Sequence, residues 1–524
     1  MRPTDRNSLA LALAGTRADT CERFPKIDFA AYLRILVLIT GFGGFHQLSG
    51  ALFDWIDRAP IEVEIRDCPH SHRFSWPQAG ALPPLAAALS LPRQIVGGMR
   101  GTAMNRGLKA LLVTVVVSAA CTLPAPIGQT QVPTTAPTAA NTPTPAPTPT
   151  RTPNPFPNPV LKITGAEEVV FDWTTDRCEA LNLPDLPTRA FRGADGQVQL
   201  ILSHFVNYRM IGPDLDHLQV DCHLLMGSQH DADPSRYADS EWIASPYTED
   251  GQTIYAVVHN EYHGWEHPGQ CSQGSYYPPC WYNTLTLAVS KDGGQTYAPA
   301  MPPPGHFVAG LPYQYERDGG PAGLRNSSNL IKGKDGYYYQ YANVAYIASD
   351  NQGVCLMRAQ NLADPTSWRF WDGSGFNGQF VDSYLHPPAN PDEHTCDALE
   401  WENIGASLND SISFNTYLGR YVLLGLSADQ VGGREVWGFY YSFSDDLIHW
   451  THRKLLAEMV LPWTAARFDD VMYLYPSLLD PDSDSRNFET TDKTAYLYYT
   501  RHNQGQGSLD RDLIRVPVEF FPSP

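Results

Sequence analysis

The sequence predicts an all-β fold of the β-propeller type, with five blades as the best count. Three observations carry this. From about residue 160 onward the chain shows short alternating apolar runs and almost no helical periodicity. Short strands recur in pairs across Asp-Gly or Leu-Gly hairpin turns. A strand that ends in an Asp turn and then an aromatic also recurs. Its clearest copy is Ser290-Lys291-Asp292-Gly293-Gly294-Gln295-Thr296-Tyr297, entered from the strand Thr284–Val289. An Asp there can hydrogen-bond its own backbone and the glycines can take positive φ, so Asp292 is read as a structural residue. Repetition of one such unit around a domain is the signature of a radial architecture.

In chain order, the first unit pairs 188–192 with 197–202 across Ala194-Asp195-Gly196. The second pairs 242–246 with 253–258 across Asp250-Gly251 and runs on into the Asp turn at 290–297. The third pairs 326–331 with 337–341 across Lys334-Asp335-Gly336, and 357–368 gives a looser Asp turn closed by Trp368. The fourth pairs 410–414 with 420–424 across Tyr417-Leu418-Gly419 and ends in Ser444-Asp445-Asp446-Leu447-Ile448-His449-Trp450. The fifth comprises 474–479 and 495–499. A sixth unit stays open if 370–400 holds a degraded one.

The turn at 290–297 resembles the Asp-box of sialidases, with Tyr297 in the Trp place. The stretches Asn326–Tyr339, Ser411–Leu424 and Ser444–Trp450 resemble the five-bladed glycoside hydrolases of the arabinanase, fructosidase and xylosidase superfamily. The likeness spans roughly 180–516 and rests on architectural motifs. It implies a propeller, and a glycan substrate as the expected activity.

Residues 1–103 match nothing that follows and are read as a non-native or disordered extension. At Met104 the pattern changes to a short basic stretch, an apolar run at 110–117, and Ser118-Ala119-Ala120-Cys121. That order is a secretory signal over 104–121. It resembles a bacterial lipoprotein signal, which would make Cys121 a lipid anchor. Residues 122–158 alternate Thr, Pro and Ala and have no apolar face to bury, so they read as an extended linker to a 159–524 propeller domain. An extracellular or envelope-attached monomer is expected.

Charge divides the chain at the same place. Residues 1–158 hold 14 Lys/Arg against 9 Asp/Glu, whereas the remainder holds 23 against 47. A domain with that acidic excess is a poor partner for nucleic-acid phosphates, and suits an oligo- or polysaccharide. Six cysteines follow the linker: Cys178, Cys222, Cys271, Cys280, Cys355 and Cys396. An even number in an exported domain predicts disulfides, with Cys271–Cys280 the expected pair. Neither CxxC nor a Cys/His zinc spacing occurs, so no metal site and no cofactor are expected, a structural calcium being left open.

In a propeller the innermost strands line one axis, so polar residues that open them are the site candidates. Cleavage of a glycoside needs two carboxyl groups, one protonated and one ionised. The candidate acids are Glu261, Glu402, Asp410 and Asp185, with Glu261 expected to have its pKa raised by burial beside Trp265. Arg189, Arg325, Asn326, His263, Tyr475 and Trp265 are the expected substrate-binding residues. Glu241, Asn260, Asp397 and Glu400 lie nearby in the same pattern. Arg189 and Arg325 could clamp a carboxylate and Tyr475 act as nucleophile, as the sialidase resemblance implies. His204, His223, His259 and His263 match no metal motif and read as packed loop residues. Aromatic loops such as Tyr276-Tyr277 and Trp281 suit stacking on sugar rings, which a non-catalytic glycan-binding propeller would need equally.

Overall fold

The computed structural model describes Phe156 and residues 158–522, apart from 346–351, 406 and 506. The extension at 1–103, the signal with Cys121 and nearly all of the linker lie outside the described residues. What is described is almost wholly strand and turn. Its two α-helices are single turns, Trp173–Asp176 and Trp401–Ile404.

The strands form antiparallel units in chain order. The first runs Arg189–Arg192, Val198–Leu202, Val206–Gly212, Gln219–Gly227. The second runs Ser240–Tyr247, Ile254–His263, Trp281–Ser290, with two short outer strands. The third runs Ala322–Arg325, Tyr338–Ala345, Gln352–Ala359, Arg369–Phe370. The fourth runs Ser411–Asn415, Arg420–Val431, Arg434–Ser444, Lys454–Glu458. The last runs Met472–Leu479, Thr494–His502, Arg511–Phe521. Its outer edge is completed by Val160–Ile163 and Glu168–Phe171 from the start of the domain. Residues 371–400 add no strand, only a bridge from Gly378 to Phe370 and a 3-10 turn at Pro391–His394.

The innermost strands meet in a closed cycle. Arg189 Nε donates to Ala244 O at 3.2 Å, joining the first unit to the second. Ser245 Oγ donates to Ser328 O at 2.6 Å, joining the second to the third. Asn329 Nδ2 donates to Ile412 O at 2.8 Å, Leu478 N–H to Ser411 Oγ at 3.1 Å, and Ser477 Oγ to Thr188 O at 2.9 Å. The last bond returns to the first unit. Apolar packing repeats the cycle, because each seam between neighbouring units holds its own buried cluster. Phe191 and Ile201 pack on Ile243 and Val258, Leu285 and Leu287 on Leu324 and Val344, and Tyr341 and Leu356 on Ile412 and Leu423. Leu424 and Phe439 pack on Leu478 and Tyr499, and Leu200 and Met210 return to Leu479 and Tyr498. Each fully buried large side chain contributes about 1.5–3 kcal/mol, so the seams dominate the stability. This is a β-propeller.

The Asp turns form as read. Asp292 accepts from Gln295 N–H and Thr296 N–H and from the hydroxyls of Ser290 and Thr296, and Tyr297 is buried behind it. Asp446 accepts from Ile448 and His449 N–H ahead of buried Trp450, and Asp364 caps the turn ahead of buried Trp368. Among the described residues three disulfides are present, Cys178–Cys222, Cys271–Cys280 and Cys355–Cys396, the second being the expected pair. Gly323 is required where the second and third units touch in parallel. Its φ is +120°, and a Cβ there would stand 2.1 Å from Asn283 O.

Candidate active site at the mouth of the axis

The inner strands of the second and third units run the same way, and side chains from four units gather at one end of the axis. On the second strand of unit two, His259, Glu261 and His263 alternate with Val258, Asn260 and Tyr262. A period of two therefore sets the three on one face. The register puts Ser240 and Trp242 opposite Glu261 and His259, and Trp281 opposite His263.

Glu261 is the hub. His259 Nε2 stands 2.7 Å from Oε1 and His263 Nε2 2.9 Å from Oε2. Burial pushes the Glu261 carboxyl up, but hydrogen bonds from the two imidazoles more than offset it and hold it down at about 2. This corrects the expectation of a raised Glu261. The burial is there, but both oxygens are occupied by histidines. Arg325 ends the first strand of unit three beside it; burial lowers the guanidinium's pKa and the Glu261 charge opposes that.

Asp185 enters from the segment before unit one. It is ion-paired with Arg511, accepts from the Tyr475 hydroxyl at 3.3 Å, and stands 3.5 Å from His204 Nε2. Tyr475 has φ +59° at a register shift in its strand. Its phenol is raised well above the ordinary value, first by burial and then by the charge of Asp185, so it stays protonated. His204 is lowered by burial, with Asp185 and Glu261 opposing. His502, opposite Arg511 in the last unit, is pushed down to about 3 by burial and the Arg511 charge. The mouth thus draws Asp185 and His204 from unit one, Glu261 and its histidines from unit two, Arg325 from unit three, and Tyr475, His502 and Arg511 from the last. Buried Nδ1 of His204, Nε1 of Trp242 and Nε of both Arg325 and Arg511 have no hydrogen-bond partner among the described residues.

An aromatic cover continues outward. Trp265 stacks on His263 with centroids 4.3 Å apart, and Tyr276 packs edge-on against Trp265 and Trp281. Tyr276 lies in the loop closed by Cys271–Cys280 and is 62% exposed. Beneath this cover the mouth is packed shut, with side-chain exposures of 16% at Asp185 and 13% at Glu261.

Four expected residues stand elsewhere, and Glu241 with them. Arg189 does not face a ligand. Its guanidinium lies across the axis and donates to the carbonyls of Ala244, Ser327 and Asp410, and burial pushes its pKa down to about 9. Asp410 turns its carboxyl onto its own unit, where Oδ2 accepts from Leu426 N–H at 3.1 Å. Burial raises it to about 7 despite Arg189. Glu402 is exposed on the Trp401–Ile404 turn and shares no hydrogen bond with the cluster. Asn326, at φ +45°, accepts from Asn409 Nδ2 through its backbone carbonyl. Glu241 faces away from Glu261, accepts from Gln229 N–H, and is raised to about 7 by burial. His502 and Arg511 were missed. They oppose one another across a hairpin at the end of the chain, and no local spacing links them to Asp185.

No family model matches the chain, and no curated protein matches it. Similar folds occur among solved structures. A xylan β-1,4-xylosidase from Bacillus halodurans C-125 is 10% identical with a TM-score of 0.35, over 65% of this chain and 54% of its own, so this chain spans about half of it. The α-L-arabinanase of Cellvibrio cellulosa is 10% identical with a TM-score of 0.34, over 64% and 91%. A glycosyl hydrolase from Bacteroides ovatus is 11% identical with a TM-score of 0.37, over 67% and 93%.

Proposed function

We propose that this propeller acts on a glycan at the mouth formed by Asp185, Glu261, Arg325 and Tyr475, and that it hydrolyses a glycosidic bond there. The observation that carries the reading is that two carboxyl groups from different elements share one cluster: Asp185 meets His204 and Tyr475, Glu261 meets His259 and His263, and Trp242 packs against all three histidines. Hydrolysis needs one carboxylate acting on water or carbon and one proton donor to the leaving oxygen. Asp185, oriented by Arg511, Tyr475 and His204, fits the first role. Glu261 fits the second only once a glycosidic oxygen takes the place of one of its histidines. Burial then prevails over the remaining hydrogen bond and lifts the carboxyl toward acid duty. Sugar hydroxyls would also give partners to the unpaired Arg325, Arg511 and Trp242 nitrogens. The aromatic loop holding Tyr276 is the piece that has to move to admit them.

A second reading, a non-catalytic glycan-binding propeller, is favoured by one observation: every oxygen of Glu261 and Asp185 already has a partner. The sialidase reading is weaker, because Arg189 is committed to backbone carbonyls. Secretion and attachment through Cys121 belong to the same proposal and rest on sequence alone. The test is a glycan-hydrolysis screen followed by Asp185→Asn and Glu261→Gln on any substrate cleaved. A loss of turnover of at least a hundredfold with binding kept supports the mechanism. A folded protein that binds glycans and cleaves none establishes the binding module instead. Cleavage that survives both changes removes this site from the reaction.

A further inference from the structure

Outside the mouth, the backs of the same two loops bring together a second group of ionisable side chains that the proposed reaction does not use. Asp239 immediately precedes the inner strand Ser240–Tyr247, and its side chain is 1% exposed. Its Oδ2 accepts from His263 N–H at 2.7 Å. Its Oδ1 points the other way and has no hydrogen-bond partner among the described residues, and neither has His267 Nε2, although the two atoms stand 3.0 Å apart. His230 Nδ1 lies 3.7 Å from the same Oδ1. The donor atoms of His230, Asp239 and Glu266 all lie within 4.8 Å of one another.

That arrangement is poor for an ion pair and good for a cation. A protonated imidazole placed to neutralise a buried carboxylate aims its N–H along the lone pair and makes a charge-assisted hydrogen bond. Here the distance is met and the alignment is not, which leaves two buried polar atoms unsatisfied, a costly outcome. Two donors that each bind one tetrahedral metal ion at about 2.0–2.2 Å stand roughly 3.3–3.6 Å apart with lone pairs converging between them, and His230 Nδ1 and Asp239 Oδ1, 3.7 Å apart, are near that spacing. The backbone holds the donors in place independently of any ion. His230 N–H donates to Asp239 O at 2.9 Å, so the 230–239 loop closes on itself. Asp239 N–H donates to Asn260 Oδ1 at 3.0 Å, and the His267 ring stacks on Tyr262 with centroids 5.2 Å apart.

We propose that His230, Asp239 and Glu266, with His267 flanking Asp239, form a binding site for a first-row divalent transition metal ion, zinc by donor type. Imidazole and carboxylate donors are a borderline set that suits zinc, whereas calcium and magnesium take oxygen shells. The site was not legible in the sequence because these residues follow no recognised ligand spacing. Its ion ties the loop after His263 to the loop before Ser240, so it fixes the wall on which His263 meets Glu261. Glu266 links the two sites directly, its Oε1 standing 3.2 Å from His263 Nδ1.

The test uses the full chain, stripped with a chelator and dialysed, titrated with zinc chloride and separately with cobalt chloride. The expected result is one zinc ion per chain, a higher melting temperature with zinc, and visible cobalt bands typical of nitrogen and oxygen donors. His230→Ala removes an exposed ligand without touching the core, and should weaken zinc binding at least tenfold and bleach the cobalt spectrum. Asp239→Asn should do the same. It serves as the second variant, with near- and far-ultraviolet circular dichroism to confirm that it folds. Absence of stoichiometric zinc, or zinc bound equally well by both folded variants, overturns the site.

Discussion

In the cluster at the mouth of the axis two buried acids face cations and imidazoles: Glu261 lies between two histidines and Asp185 against Arg511 and His204. At the end where the inner strands finish, the partners are neutral. Asp480 accepts from the backbone N–H of Asp482 and Asp492 at 2.9 and 2.8 Å. Glu489 accepts from Lys332 N–H and from the hydroxyls of Tyr247 and Ser485. Burial works to raise Asp480, Glu489 and Glu261; it prevails at the first two and is overridden at Glu261. The partner decides, because an imidazole can carry a compensating charge and a peptide N–H cannot. The roomier space is also at the second end, a cavity of about 540 Å³ edged by Glu249, Asp482, Asp484 and Asp492. An open acidic basin and a packed, charge-matched mouth are different devices at the two ends of one axis.

The group that separates the two ends gives the largest expected effect. Arg189→Met leaves the carbonyls of Ala244, Ser327 and Asp410 without their donor at the centre of the ring. It should cost about 3–5 kcal/mol in denaturant unfolding. A cost below 1 kcal/mol would mean that the axis is held by the seams alone. Opening the disulfide over the mouth with Cys271→Ser and Cys280→Ser comes next, at about 2–3 kcal/mol for a loop of that length. Glycan binding should fall as well, because Tyr276 loses its staple.

Acidity separates the acid held by a peptide N–H from the acid held by histidines more finely. The folded Asp410 carboxyl is raised to about 7 from an ordinary 3.8. The native state therefore holds a proton that the unfolded chain has already lost, and stability falls as pH rises from about 4 to about 7. Glu261 works in the opposite sense. Its carboxyl is depressed to about 2 from 4.5, so its contribution is present above 4.5 and is lost as pH falls toward 2. Urea midpoints across pH 3–8 for Asp410→Asn and Glu261→Gln should flatten the first slope and the second respectively. Equal slopes in both variants would break the contrast. The smallest effect belongs to the open basin. Asp484→Asn should change stability by no more than about 0.5 kcal/mol and leave glycan turnover unaltered.

The fold was legible because strand period and hairpin turns are local. Asp250-Gly251 and Lys334-Asp335-Gly336 announce their hairpins within a few residues, and the Asp292 turn announces an outer strand. The edge strands Val160–Ile163 and Glu168–Phe171 were not, since they complete a sheet whose other members lie more than 300 residues on. The site was half legible. Asp185, Arg325 and Tyr475 follow from the rule that residues near the openings of inner strands meet at one mouth, and Glu261 and His263 from their place at the end of the second strand of unit two. Asp410 obeys the same rule for its backbone and breaks it with its side chain, because Leu426 N–H offers a partner inside the unit. His502 and Arg511 reach Asp185 only through closure of the ring, which no window of sequence contains.

That closure has a mechanical side. Val160 and Phe521 are direct partners in the last sheet, so the described chain leaves the ring beside the place where it entered. A load applied between those two points would meet the hydrogen bonds of the Val160–Ile163 strand one pair after another, like a zipper, instead of all together. The seams between units would be spared until that strand had parted. The same adjacency makes the ring a loop that can be cut elsewhere: a short bridge between the present ends, and new ends at the exposed Gly432-Gly433 turn, should return the same propeller.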